Sequence, residues 1–88
     1  MTNKSAKSDD TYLIYVEYTD TFNGEANYCW VKREELCLPC GLSNLAIMRR
    51  AKAAMGISGM RGQSSCNGDS WEFRPYRSCT VMFARVIY

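Results

Sequence analysis

Two cysteines with two residues between them, Cys37-Leu-Pro-Cys40, are the one string in this chain with the spacing of a reactive site. Such a pair can ligate zinc, which prefers a closed tetrahedron of soft donors. Cys66 and Cys79 would have to complete the set, yet twelve residues separate them, too many for a second zinc knuckle. A thiol-redox role meets a different obstacle. Reactive thiols of this type gain their low pKa at a helix N-terminus, whereas the first good helix cap, Ser43, lies three residues beyond Cys40 and no βαβ context precedes it. Cys37 and Cys40 therefore read as incidental loop thiols, and Cys29 and Cys79 as small buried hydrophobes in strands.

Other chemistry is just as thinly provided for. The chain has no histidine, which removes the commonest general base and metal ligand. A serine or cysteine nucleophile would then need lysine or a carboxylate as its base. The adjacent acids, Asp9-Asp10 and Glu34-Glu35, fall in a polar tail and at the expected end of a strand. Gly56, Gly59 and Gly62 fit no phosphate-loop spacing. No catalytic residue, metal or cofactor is expected, and an enzyme is not the reading these residues support.

What the sequence does carry is an uneven charge map. Residues 1–36 hold seven acids against Lys4, Lys7, Lys32 and Arg33, for a balance of −3. From residue 37 onward seven bases face only Asp69 and Glu72, for +5, and no acid occurs from Leu36 to Gly68. The sum, +2, matches the formal net charge and is too small for a dedicated duplex binder. Five cysteines, an odd number, and a polar start without an apolar core suggest free thiols in a reducing cytoplasm. No apolar run is long enough to span a membrane.

The elements that must position these groups follow from pattern. Residues 1–10 read as a disordered N-terminal tail, and residues 11–88 as a single α+β domain. Thr11 to Tyr18 and Ala26 to Arg33 are rich in β-branched and aromatic residues, and Asn23-Gly24 between them is a strong hairpin signal. A plain two-residue turn sets Val16 opposite Val31, Tyr18 opposite Cys29 and Ile14 opposite Arg33 on one face. Tyr15 then opposes Lys32, Glu17 opposes Trp30 and Thr19 opposes Tyr28 on the other. The face holding Ile14, Val16 and Val31 is expected to be core, since a one-residue slip would turn the aliphatics outward.

Leu38 to Leu42, with Pro39 and Gly41, reads as a connection. Ser43 caps a helix from Asn44 to Met55, with Gly56 just past its end. Ile47, Met48, Ala51, Ala54 and Met55 form its apolar stripe, and Asn44, Arg49, Arg50 and Lys52 lie away from it. Further strands fall within Gly59 to Cys66, Trp71 to Arg74 and Thr80 to Tyr88, with a turn at Asn67-Gly68-Asp69. The last strand is apolar on both faces, which suggests a central position or a covered face. The expected architecture is a single helix packed on one face of an antiparallel sheet, in the order β-β-α-β-β(-β).

Two surfaces then become candidates for binding. One is the outward side of the hairpin, where Leu13, Tyr15, Tyr28, Trp30 and Lys32 gather around Glu17. Either a second layer covers these rings or they form a contact patch for a partner. The other is the basic helix face, Arg49, Arg50 and Lys52, continued by Arg61. It reads either as a solvated helix face or as a footprint for phosphates or an acidic surface.

Beyond pattern, the strings Arg33-Glu-Glu-Leu, Leu42-Ser-Asn-Leu-Ala-Ile-Met-Arg-Arg-Ala-Lys-Ala-Ala-Met-Gly-Ile-Ser-Gly-Met-Arg and Glu72-Phe-Arg-Pro-Tyr-Arg-Ser-Cys-Thr-Val-Met-Phe resemble small uncharacterised proteins carried by phages and prophages. The resemblance covers most of the chain beyond the tail, is one of general texture, and transfers no functional residue. It implies a setting in which short proteins bind and block a host machine, anti-CRISPR proteins being the best-known class. The expected function is thus a non-enzymatic protein-binding module, a phage-type inhibitor or adaptor of a host protein complex. The alternative is a single-stranded RNA- or DNA-binding protein that uses the sheet aromatics and the basic helix face. A homodimer through a sheet edge or face is compatible with either.

Overall fold

The computed structural model describes residues 11–87; the expected tail, residues 1–10, lies outside the described residues. Five strands and one helix appear in chain order: β1 (Thr11–Phe22), β2 (Glu25–Pro39), α1 (Asn44–Met55), β3 (Gly62–Asn67), β4 (Ser70–Pro75) and β5 (Thr80–Val86). The strands form one antiparallel sheet, ordered β2-β1-β5-β4-β3, with the helix packed on one face. This is the α+β class and the element order expected from the sequence. β5 sits in the middle of the sheet, which is why both its faces are apolar.

The turn at Asn23-Gly24 forms as its residue types require. Both residues are left-handed, at φ 55° and 84°, the backbone that suits the twist of a tight hairpin. Phe22 pairs with Glu25 and Thr21 with Ala26. Beyond that point the expected register fails. Four residues of β2, 27–30, face only Asp20 between paired positions, so Thr19 meets Val31 and the rest of the ladder follows that offset.

Three extra residues are an odd number, so β2 turns over. Val16 opposes Glu34 instead of Val31, Tyr18 opposes Lys32 instead of Cys29, and Ile14 opposes Leu36 instead of Arg33. On the other face Glu17 meets Arg33, Tyr15 meets Glu35 and Leu13 meets Cys37. Both strands also run further than expected. Leu38 is a buried strand residue and not part of a connection, and Glu34-Glu35 lies within β2.

Side chains of β1 hold this bulge in place. The Asp20 carboxylate accepts from Asn27 Nδ2 at 2.8 Å, from the Cys29 amide at 2.9 Å and from the Trp30 amide at 3.4 Å. Those donors, the Asn27 amide foremost, hold its pKa below the ordinary carboxylate value. The Thr19 hydroxyl, fully buried, donates to the Trp30 carbonyl at 2.7 Å. Tyr28 takes a left-handed φ of 58° within the bulge.

The helix begins and ends where its sequence signals say. Ser43 Oγ accepts from the Ala46 amide at 3.1 Å. At the other end Gly56 is left-handed at φ 78°, its amide reaching the Ala53 carbonyl while the Ile57 amide reaches that of Lys52. That pair of bonds is a Schellman cap, closed by burial of Ile57. Ile47, Met48, Ala51 and Met55 pack against Ile14, Val16, Leu38, Trp71, Phe73, Met82 and Ala84, with Ala54 partly buried beside them.

Two residues assigned to the outer side of the helix face the sheet. Asn44 Oδ1 accepts from Trp71 Nε1 at 3.0 Å. Lys52 lays its ammonium 4.2 Å above the Phe73 ring and donates to the Met60 carbonyl at 2.7 Å. Both have long or terminal reach: Asn44 sits at the first helical position, and the Lys52 stem extends past the last turn.

Candidate functional site

The face of the sheet opposite the helix divides in two. Towards the hairpin tip, Arg74 on β4 donates to the Gly24 carbonyl at 2.7 Å, although β5 and β1 separate their strands. The tip therefore bends over the outer face, and Thr19 and Val81 beneath it are fully buried. Away from the tip the face stays open as a shallow cup of about 570 Å³. Tyr15, Glu17, Phe83, Glu72 and Arg85 form its floor, Tyr28 one wall, and Ser65, Asn67 and Ser70 the other.

Register explains why these side chains meet. Tyr15 pairs with Arg85 across β1 and β5, Glu17 with Phe83, and Phe83 in turn with Glu72 on β4. Paired residues share a face, so a row of alternating aromatic and charged groups runs across three strands. Tyr28 arrives from the bulge, where its left-handed backbone aims the ring towards β1.

Glu17 organises the cup. Its carboxylate accepts from the Tyr15 hydroxyl, the Tyr28 hydroxyl and Arg33 Nε, each at 3.1 Å. Partial burial and then the Glu17 carboxylate raise the Tyr28 hydroxyl above its ordinary pKa, so it remains a neutral donor. The same carboxylate raises Arg33 further above its already high value. Arg85 lies over the Tyr15 ring, 5.2 Å from its centroid, and Arg74 pairs with Glu72. Two aromatic hydroxyls and several charged groups are thus held in fixed positions before anything binds.

The residues expected to act together at the hairpin separate. Tyr15 and Tyr28 join in the cup, and Leu13 lies on the same face further along β1. Trp30 and Lys32 do not: the bulge turns them to the helix side. Trp30 packs edge-on against Tyr18 at 5.4 Å, and Lys32 Nζ donates to the Met55 carbonyl at the helix C-terminus. A cation there also suits the helix dipole. Phe83, Arg85, Arg33 and Glu72 complete the cup and were not singled out from the sequence. The doubly apolar pattern of β5 was the signal that a large ring must face outward.

The expected basic helix face is smaller than its residue list. Arg49 and Arg50 are exposed on the helix, and Arg61 is exposed just before β3. Lys52 is half-buried and engaged with Phe73 and Met60. These bases lie across the sheet from the cup, apart from Arg61 beside the edge strand. The cysteines differ from expectation too: Cys29 and Cys79 are exposed, as are Cys37, Cys40 and Cys66, and none forms a disulfide. Cys29 falls in the bulge and Cys79 just before β5. Among the described residues no group of three His, Cys, Asp or Glu side chains gathers to hold a metal, and no helix is long and apolar enough to cross a membrane.

Fold and site together define an α+β sheet protein whose uncovered face presents fixed aromatic and charged groups of both signs. No protein-family model matches the chain, and neither a curated protein nor a solved structure does.

Proposed function

We propose that this chain is a non-enzymatic protein-binding module that docks a partner protein in the cup on its outer sheet face. The observation that carries this reading is the Glu17 cluster. Three donors converge on one carboxylate between Tyr15 and Tyr28, which presets both rings and removes much of the ordering cost of association. Aromatic anchors ringed by paired charges suit a protein surface of mixed charge.

The same floor offers little to a nucleic-acid strand, because Glu17 and Glu72 stand among the rings and the arginines beside them are already engaged, Arg33 by Glu17, Arg74 by Glu72 and Arg85 by the Tyr15 ring. Taken with the sequence resemblance, the setting is that of a phage-type inhibitor or adaptor acting on a host protein complex in a reducing cytoplasm, as anti-CRISPR proteins do.

The test is affinity capture from bacterial lysate, with and without nuclease, using the wild type, Tyr28→Ala and the pair Arg49→Glu with Arg50→Glu. A defined protein complex should survive nuclease and the helix reversals. Tyr28→Ala should weaken the purified complex by more than about 2 kcal/mol, the loss expected of an anchor ring. Retention of RNA or DNA alone, abolished by the helix reversals and falling steeply with salt, would replace this reading with nucleic-acid binding.

A further inference from the structure

The two borders of the sheet are built very differently. β2 carries a bulge, Lys32, Arg33, Glu34 and Glu35, and Pro39, which are features that discourage another strand from adding to an edge. β3, Gly62-Gln-Ser-Ser-Cys-Asn67, has no charge, proline or bulge, and residues 63–67 are all exposed. Nothing along it obstructs pairing.

Its free backbone groups can be assigned. The Tyr76 amide donates to the Arg61 carbonyl at 2.9 Å, so in this antiparallel ladder Arg61, Gln63, Ser65 and Asn67 turn their polar groups towards β4. Gly62 stands opposite Pro75, which has no amide to offer. The N–H and C=O groups of Gly62, Ser64 and Cys66 therefore point out of the sheet.

We propose that β3 pairs antiparallel with β3 of a second copy of this chain, about a two-fold axis perpendicular to the sheet and midway between the two copies of Ser64. In that register Ser64 faces Ser64 of the other copy, and Gly62 faces its Cys66. Every outward N–H then finds a carbonyl, and the contact closes as a symmetric dimer.

Charge favours the second copy as occupant. Arg61 flanks one end of β3 and Asp69 the other, so antiparallel pairing brings the basic end of one copy to the acidic end of its mate, twice. Shape favours it as well. On the helix side an apolar hollow of about 290 Å³ lies beside the edge, lined by Asn44, Leu45, Met48, Ser64, Cys66 and Trp71. Leu45, 62% exposed, projects at its rim. A perpendicular two-fold places both hollows and both leucines on the same side of the joined sheet, and both cups on the other.

Sedimentation equilibrium of the full chain, from micromolar to millimolar concentration, tests the dimer. The expected result is a mass rising from 10.0 kDa to twice that value. Ser64→Pro removes the central amide without touching the β3–β4 ladder and should leave a folded monomer by circular dichroism. S64C should be captured as a disulfide-linked dimer under mild oxidant, with the position-64 peptide joined to itself. Self-paired residues sit about 5.5 Å apart between Cα atoms, within disulfide reach. S65C, displaced diagonally, should cross-link far more slowly. The proposal is overturned by a wild type monomeric throughout, by a dimer unchanged in folded Ser64→Pro, or by S64C giving no self-linked peptide. If Ser64→Pro does not fold, the S64C and S65C comparison decides alone. None of these readouts depends on what docks in the cup.

Discussion

Thr19→Val asks whether the bulge in β2 is held by side chains of β1. The substitution keeps the branched shape of a fully buried residue and removes only its hydroxyl, which donates to the Trp30 carbonyl at 2.7 Å. Loss of one intramolecular hydrogen bond costs about 0.5–1.5 kcal/mol, and leaving its buried partner unsatisfied raises the cost to about 1–3 kcal/mol. The added methyl recovers part of this. A net loss of about 1–2 kcal/mol is therefore expected. For a domain of this size each 1 kcal/mol lowers Tm by roughly 4–8 °C, so the fall should be about 4–16 °C. Thermal unfolding by circular dichroism reads the shift, and amide exchange at Cys29 and Trp30 reads the bulge itself. Both amides are bonded to Asp20 and should exchange faster in the variant. Nuclear Overhauser contacts supply the register: Val16 should stay opposite Glu34 in the wild type. An unchanged Tm with unchanged exchange at both amides would refute the assignment of the bulge to these anchors.

Asp20→Asn should destabilise the protein near neutral pH but not in acid. The folded-state pKa of Asp20 is depressed, so its contribution is present above the unfolded carboxylate value and is lost as pH falls through the folded one; the Tm gap between wild type and variant should close as pH is lowered. Lys52→Ala should lower stability by about 1 kcal/mol through loss of its contacts with Phe73 and the Met60 carbonyl, whereas Arg49→Ala and Arg50→Ala should each stay within about 0.5 kcal/mol by urea titration. Phe73→Ala, at a residue 2% exposed, should cost about 3–5 kcal/mol in the same assay. Gly62→Ala should loosen β3 from β4, since a Cβ there meets the Arg74 carbonyl and the Pro75 backbone; faster amide exchange in both strands would show it.

Local signals in the sequence were legible where the physics is local. Asn23-Gly24 can hardly do anything but turn, Ser43 and Gly56 delimit the helix through bonds to their own neighbours, and the doubly apolar β5 belongs in the centre. The bulge was not legible. Its residues include no glycine, and Tyr28 accepts a left-handed backbone against its own preference. What stabilises it, Asp20 and Thr19 reaching across the hairpin, exists only once the two strands meet. One such irregularity was enough to send Trp30 and Lys32 to the far side and leave Tyr15 and Tyr28 with Phe83 and Arg85. Lys52 and Asn44 escaped the helical wheel for another reason. A wheel places Cα positions, not where a four-carbon stem or a first-turn amide can reach.

The central place of β5 also dictates the order of assembly. Residues 11–39 and 62–86 can each zip up from sequence neighbours, as a hairpin and a three-strand meander, on the microsecond scale of such events. Joining them lays β5 against β1, pairing Ile14 with Val86 across nearly the whole chain, a loop closure whose entropy must be lost before any contact repays it. That long-range pairing is expected to be the slow step. Substitutions that weaken the β1–β2 hairpin, already formed by then, or the β1–β5 seam should therefore retard folding, while equally harmful ones at contacts made afterwards should chiefly hasten unfolding.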